Sequence, residues 1–309
     1  MDSSLPPKTR VSSKVHFIAY SIFALITIGI FIYTIISPPV ENRSFSNNQP
    51  VIIHVSEGEG VSTIITELKT KNIIKKSWVA KSLLSILRSD TQIPRGDYLF
   101  DHPTTAFNIA WRLARGIHHI EPFKITFREG ITNAEIAKQL SEKLPSFRKD
   151  LFYSNAKTRE GYLFPDTYFF FPLTTTDEVI SQLSLNFTRR LSKYKKDISV
   201  SGHTEEEVII MASLIEKEAQ GINDRAIIAG ILWNRIEHGM LLQVDAAKET
   251  YYRKGLPSKP IANPGELAIE ASVHPLETAY VFYLHGKDNL PHYAKTYREH
   301  QTNIRNYLK

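Results

Sequence analysis

The chain has 309 residues, 42% of them hydrophobic and 23% charged, which excludes global disorder and a multi-span membrane protein. Its net charge of +6 rests on mixed charges rather than basic runs, so no nucleic-acid partner is expected, while an anionic polymer or a membrane surface stays open. There is no cysteine, hence no disulfide, no thiol catalysis and no Cys-ligated zinc.

From Val15 to Val40 there is no Asp, Glu, Lys or Arg. Within it Phe17–Ile36, as a helix, reaches roughly 30 Å, about one hydrocarbon core. Lys8, Arg10 and Lys14 face only Asp2 on the N-terminal side, which keeps residues 1–16 as a cytoplasmic tail. Ser37-Pro38-Pro39 follows where a cleavable leader would need a small-x-small site. The segment therefore reads as a retained single-pass anchor over 17–36, with residues 41–309 outside the cytoplasm. Their net charge is +4, the +6 of the chain less the +2 of residues 1–40.

A polar linker, 37–50, leads to a first β-α module over 51–120. Its strand is Val51–Val55, and a helix follows with apolar Val61, Ile64, Ile65 and Leu68. Pro94–Tyr98 turns into a second strand, and Ala106–Arg115 is a helix ended by Gly116. The pattern repeats at 123–144, where FKITF, the turn Arg128-Glu129-Gly130 and an amphipathic helix form a second module. These units suit either binding of a sugar polymer or a plain α+β scaffold. Residues 121–309 hold the second module and the remaining domain. In them EGYLFPDTYFFFP (160–172) fits sugar stacking or core packing equally. Residues 176–195 read as a helix with a solvated face.

The most informative stretch is TEEEVIIMASLIEKEAQ, an apolar helix that meets Glu216 and Glu218 just before it stops. A carboxyl group at the end of a buried stripe is costly unless paired, hydrogen-bonded or protonated, and a catalytic acid exploits that cost. On a helical wheel Val208, Met211, Ala212, Ile215 and Ala219 share one side. Glu218 lies about 50° from the centre of that side and Glu216 about 105° away. Ser213 and Lys217 are expected to face solvent. The wheel makes Glu218 the more desolvated carboxyl and the first catalytic candidate, with Glu216 second. Ion-pairing with Arg225 or Arg235 is the structural alternative. The second helix, Ile227 to Trp233, is too apolar for a DNA groove.

MASLIEKEAQ, NRIEHGMLLQVD, GLPSKPIANPG, ASVHP and HYAKTYREH, in that order, resemble the endolytic murein transglycosylase (YceG-like) family. The resemblance runs from the anchor to Lys309. It implies an α+β fold with a single N-terminal transmembrane helix, small β-α (LysM-like) modules and a mixed α/β catalytic domain. It implies non-hydrolytic cleavage between N-acetylmuramic acid and N-acetylglucosamine of nascent strands, leaving a 1,6-anhydro end and limiting strand length. The family's catalytic glutamate matches Glu218. Gln243 and Asp245 match the family's Gln-Ser/Thr-Asp position and are substrate-binding candidates, with a turn or cap as the alternative. From the residues themselves, Asn263 suits an acetamido contact or an Asx turn before Pro264. His292, Thr296, Glu299 and His300 form a polar cluster expected to orient or contact substrate. Peptidoglycan strands and the membrane are the implied partners, with peptidoglycan synthases beside them, at the cell (inner) membrane with the catalytic part periplasmic. No cofactor or metal is implied. A membrane-anchored peptidoglycan-binding scaffold without turnover is the alternative. One departure stands out: VDAAKETYYRKGLPSKPI is shorter than the family's loop, with Ser258-Lys259 in place of a Pro-Gly pair.

Overall fold

A computed structural model describes residues 13–36, 50–87, 92–102, 104–219, 221, 224–288 and 290–309. The cytoplasmic tail up to residue 12 and nearly all of the linker lie outside these residues. Helix α1 covers Ser13–Ile36. Among the described residues no helix is long and apolar enough to cross a membrane. The described side chains of α1 run only from Phe17 to Tyr33 and skip Ala19, so the predicted span falls only partly within them.

The chain divides into two units, Met1–Glu121 and Pro122–Lys309. In the first, β1 (Val51–Val55), α2 (Val61–Thr70), α3 (Ser77–Leu87) and β2 (Gly96–Phe100) form a β-α-α-β arrangement, followed by α4 (Ala106–Arg115). The strands pair antiparallel, from Val51 opposite Phe100 to Val55 opposite Gly96. Alternation buries Ile53 and Val55 on one face, where Ile64, Leu68, Leu84, Tyr98, Phe100, Ile109 and Leu113 complete the core. Gly116 ends α4 in the left-handed region (φ 66°), as a glycine there predicts. Arg112, buried, donates to the carbonyls of Leu99 (2.6 Å) and Ile117 (3.2 Å) and lies over the Phe100 ring, which ties that helix end to β2. Burial lowers its pKa.

The second unit opens with the same order: β3 (Phe123–Thr126), α5 (Asn133–Lys143), α6 (Lys149–Asn155) and β4 (Thr167–Phe170), with β3 and β4 antiparallel. The aromatic segment resolves towards packing. Phe164, Tyr168 and Phe170 are buried, and only Phe169 is largely exposed. Helices α7 (Thr176–Leu191) and α8 (Lys195–Val200) lead to α9 (Glu205–Glu218) and α10 (Arg225–Glu237). A 3-10 turn (Lys248–Tyr251), α11 (Glu266–Val273), the antiparallel pair β5 (Phe282–His285) and β6 (Pro291–Ala294), and α12 (Tyr297–Tyr307) complete the chain.

Thr204 and Glu207 close a capping box that starts α9. From Val208 to Ile215 every residue of α9 is buried, because α10 and α11 pack around it. Ser213 is therefore not solvent-facing. It is fully enclosed, donates to the Ile210 carbonyl (2.7 Å) and accepts from the Ile261 N–H (3.1 Å). A helix wheel assigns one wet side to a helix, but from Val208 to Ile215 neighbours cover all sides, while Lys217 is exposed as expected. Gly230 of α10 leaves no room for a Cβ, since the Leu276 carbonyl occupies that place.

Candidate active site

Glu218 is the last residue of α9, where the free carbonyl ends of the helix oppose a negative charge. Two donors meet its half-buried carboxyl group. The Tyr283 hydroxyl of β5 donates to Oε2 at 2.7 Å, and the Asp245 backbone N–H donates to Oε1 at 3.2 Å. Burial first, then the Glu218 charge beside it, pushes the Tyr283 phenol well above its ordinary pKa, so it stays a donor across the physiological range.

Arg235 of α10 positions both donors. Its buried guanidinium donates to the carbonyls of Leu242 (2.5 Å) and Val281 (2.7 Å), three residues before Asp245 and two before Tyr283. It also lies 5.6 Å from the Tyr283 ring centre. Burial depresses its pKa, against the pull of Tyr283 and Glu218. It thus binds backbone carbonyls rather than a carboxylate.

Glu216 has a different task. Its side chain is only 5% exposed, pairs with Arg225 at 3.4 Å and accepts from the Gly265 N–H at 2.9 Å, at the start of α11. It joins the end of α9 to the starts of α10 and α11. The wheel sets Glu216 well off the buried side, but the structure encloses its side chain too. Neighbouring elements, absent from a wheel, cover it. What separates the two is the company they keep, a structural ion pair for Glu216 and two uncharged donors for Glu218.

The other predicted residues divide. Asp245 is exposed and accepts from the Tyr251 hydroxyl at 2.6 Å, with Lys248 at 3.6 Å. Gln243 is exposed and sits in the left-handed region (φ 52°), its N–H donating to the Thr250 carbonyl (3.1 Å). Both lie on the segment that reaches Glu218.

Asn263 does not present itself to a ligand. It is 1% exposed; its Oδ1 accepts from the N–H groups of Gly161 (3.0 Å) and Leu163 (2.9 Å). Its amide donates to the Ile131 carbonyl (3.0 Å) and to Asn133 (2.9 Å), so its hydrogen-bonding capacity is used inside the protein. Thr296 and Glu299 form the capping box of α12, a T-x-x-E signature that accounts for their spacing without a substrate. His292 stacks on Tyr307 (3.4 Å between ring centres) and lies 2.9 Å from Asp288.

Sequence reasoning missed Tyr283, Tyr251 and the positioning role of Arg235. Tyr283 lies in an ordinary apolar strand, YVFYLH, with nothing local to mark it. The paired tyrosines of TYYRKG, within the shortened loop, were the available signal for Tyr251.

The YceG-like family model matches residues 53–249 and 248–306. The endolytic murein transglycosylase of Bacillus subtilis (strain 168) is 27% identical, over 92% of this chain and 91% of that protein. The protein of the same name from Streptococcus pneumoniae serotype 2 (strain D39) is 23% identical over 84% of this chain, which spans 58% of that longer relative. A crystal structure of a yceG-like protein from Listeria monocytogenes shares the fold, with a TM-score of 0.53 at 23% identity over 82% of this chain and 99% of that one. With both family matches together running from β1 into α12, the chain belongs to the YceG-like family.

Proposed function

We propose that this chain is an endolytic murein transglycosylase that cleaves glycan strands between N-acetylmuramic acid and N-acetylglucosamine and leaves a 1,6-anhydro end. The observation that carries this reading is the Glu218 carboxyl group, held at the end of α9 between the Tyr283 hydroxyl and the Asp245 N–H. Relatives named endolytic murein transglycosylase support the substrate class.

Glu218 in its acid form gives its proton to the glycosidic oxygen as the bond from that oxygen to C1 breaks. The C6 hydroxyl of the same sugar closes on C1 and returns its proton to Glu218, so no water is added. One carboxyl group suffices because the nucleophile is already tethered, whereas hydrolytic glycosidases use a second carboxylate for water or attack. The Tyr283 hydroxyl suits both states, since it donates to a carboxylate and accepts from a carboxylic acid. The Asp245 N–H can only donate, which favours Oε2 as the oxygen that carries the proton.

Phe17–Ile36 serves as a single-pass anchor with the N terminus cytoplasmic, supported by its charge-free run and the basic flank. Cleavage then falls on nascent strands near the membrane and limits their length, beside the synthases that make them. The two β-α-α-β units serve as LysM-like glycan-holding modules, a reading supported by their duplicated layout.

The test is incubation of the full-length protein in detergent with uncrosslinked glycan strands, followed by mass analysis. Anhydro-ended fragments are expected. Reducing ends that have gained water identify a hydrolase, and intact strands that stay bound identify a scaffold without turnover.

A further inference from the structure

Tyr251 closes the 3-10 turn beside Glu218 and remains 42% exposed. Its hydroxyl donates to Asp245 Oδ1 at 2.6 Å, which fixes the outer end of the ring. The same Asp245 gives its backbone N–H to Glu218 Oε1. The Tyr251 ring is thus held at its hydroxyl, one residue removed from the carboxyl group, with much of the side chain open to solvent.

The turn beneath it is firmly built. Thr250 is 1% exposed; its hydroxyl accepts from the Val244 N–H (2.8 Å) and donates to the Ala247 carbonyl (2.7 Å). An aromatic ring anchored at its hydroxyl and open at its side loses little conformational freedom when a ligand covers it. The C–H groups on one side of a pyranose ring offer a matching apolar face. Lys248, 5.6 Å from the ring centre, is on a side chain 77% exposed and can move aside.

We propose that Tyr251 is a stacking platform for a sugar of the glycan strand next to the cleaved bond, on the Asp245 side of Glu218. The proposal rests on the reading of Glu218 as the acid, and it names one subsite of that reaction.

The test uses the full-length protein with uncrosslinked strands and Tyr251→Ala, Tyr251→Phe and Tyr251→Trp. Tyr251→Ala is expected to raise KM roughly tenfold with kcat changed less than about threefold, while Tyr251→Phe and Tyr251→Trp keep KM within about threefold of the parent. An unchanged KM in Tyr251→Ala overturns the proposal. So does a Tyr251→Phe as impaired as Tyr251→Ala, which assigns the effect to the hydroxyl and Asp245 instead of the ring. Strand binding to Glu218→Gln, with and without Tyr251→Ala, separates the two claims. If the parent protein does not cleave but Tyr251→Ala still weakens binding, the platform stands and the acid assignment falls. If the parent cleaves and Tyr251→Ala leaves binding intact, the reverse holds.

Discussion

The Tyr283 hydroxyl lies 2.7 Å from Oε2 of Glu218 and joins a strand near the C terminus to the end of the apolar helix α9. The contact matters most when Glu218 has given up its proton. A hydrogen bond to a charged group contributes about 1.5–3 kcal/mol. Tyr283→Phe is therefore predicted to lower kcat about 10- to 100-fold while KM stays within about twofold. Initial rates of strand cleavage check it, and an unchanged kcat contradicts the role.

Asn263 is assigned to architecture. Removing its side chain leaves the N–H groups of Gly161 and Leu163 buried without acceptors. Asn263→Ala should cost about 2–6 kcal/mol, from two unsatisfied donors at about 1–3 kcal/mol each. Thermal or denaturant unfolding reads this directly. A variant as stable as the parent, with weakened glycan binding, would return Asn263 to the binding site.

Glu129 gives a pH dependence of definite sign. Its carboxylate fills the space beside Gly265 where a Cβ would stand. Burial first, then the charge of Glu216, raises its pKa above the ordinary 4.5, with Arg225 pulling the other way. Folding thus binds a proton more tightly than the unfolded chain does. The stabilisation is complete below the unfolded value and is lost as pH rises through the folded one. Glu129→Gln removes that loss, so it should melt higher than the parent near neutral pH and converge with it near the ordinary carboxyl value. Melting curves across pH test this; a lower melting point at neutral pH contradicts it.

Local signals were legible where local physics decides. The strand Val51–Val55, the helix Ala106–Arg115 and its Gly116 stop follow from alternation and capping alone. The second module repeated the strand–turn–helix order of the first, and the structure repeats it too. The burial of Ser213 and Glu216 was not legible, because it depends on α10, α11 and the Ile261–Gly265 segment, remote in sequence from α9. Tyr283 was hidden for the same reason, 65 residues from Glu218. Thr296 and Glu299 stand in a polar cluster of the sequence, yet their T-x-x-E spacing is the capping signature that starts α12. The wheel separates Glu218 from Glu216 by depth of burial, and the structure adds the kind of partner each carboxylate holds.

The two glutamates offer the most direct measurement of all. Anhydro-ended product formed from uncrosslinked strands is to be compared in the parent, Glu218→Gln and Glu216→Gln, each assayed below its melting temperature. The predicted result is no anhydro product from Glu218→Gln, and product from Glu216→Gln at a melting point lowered by the broken Arg225 pair. Persistent anhydro product from Glu218→Gln, or its loss only in Glu216→Gln, would contradict the assignment.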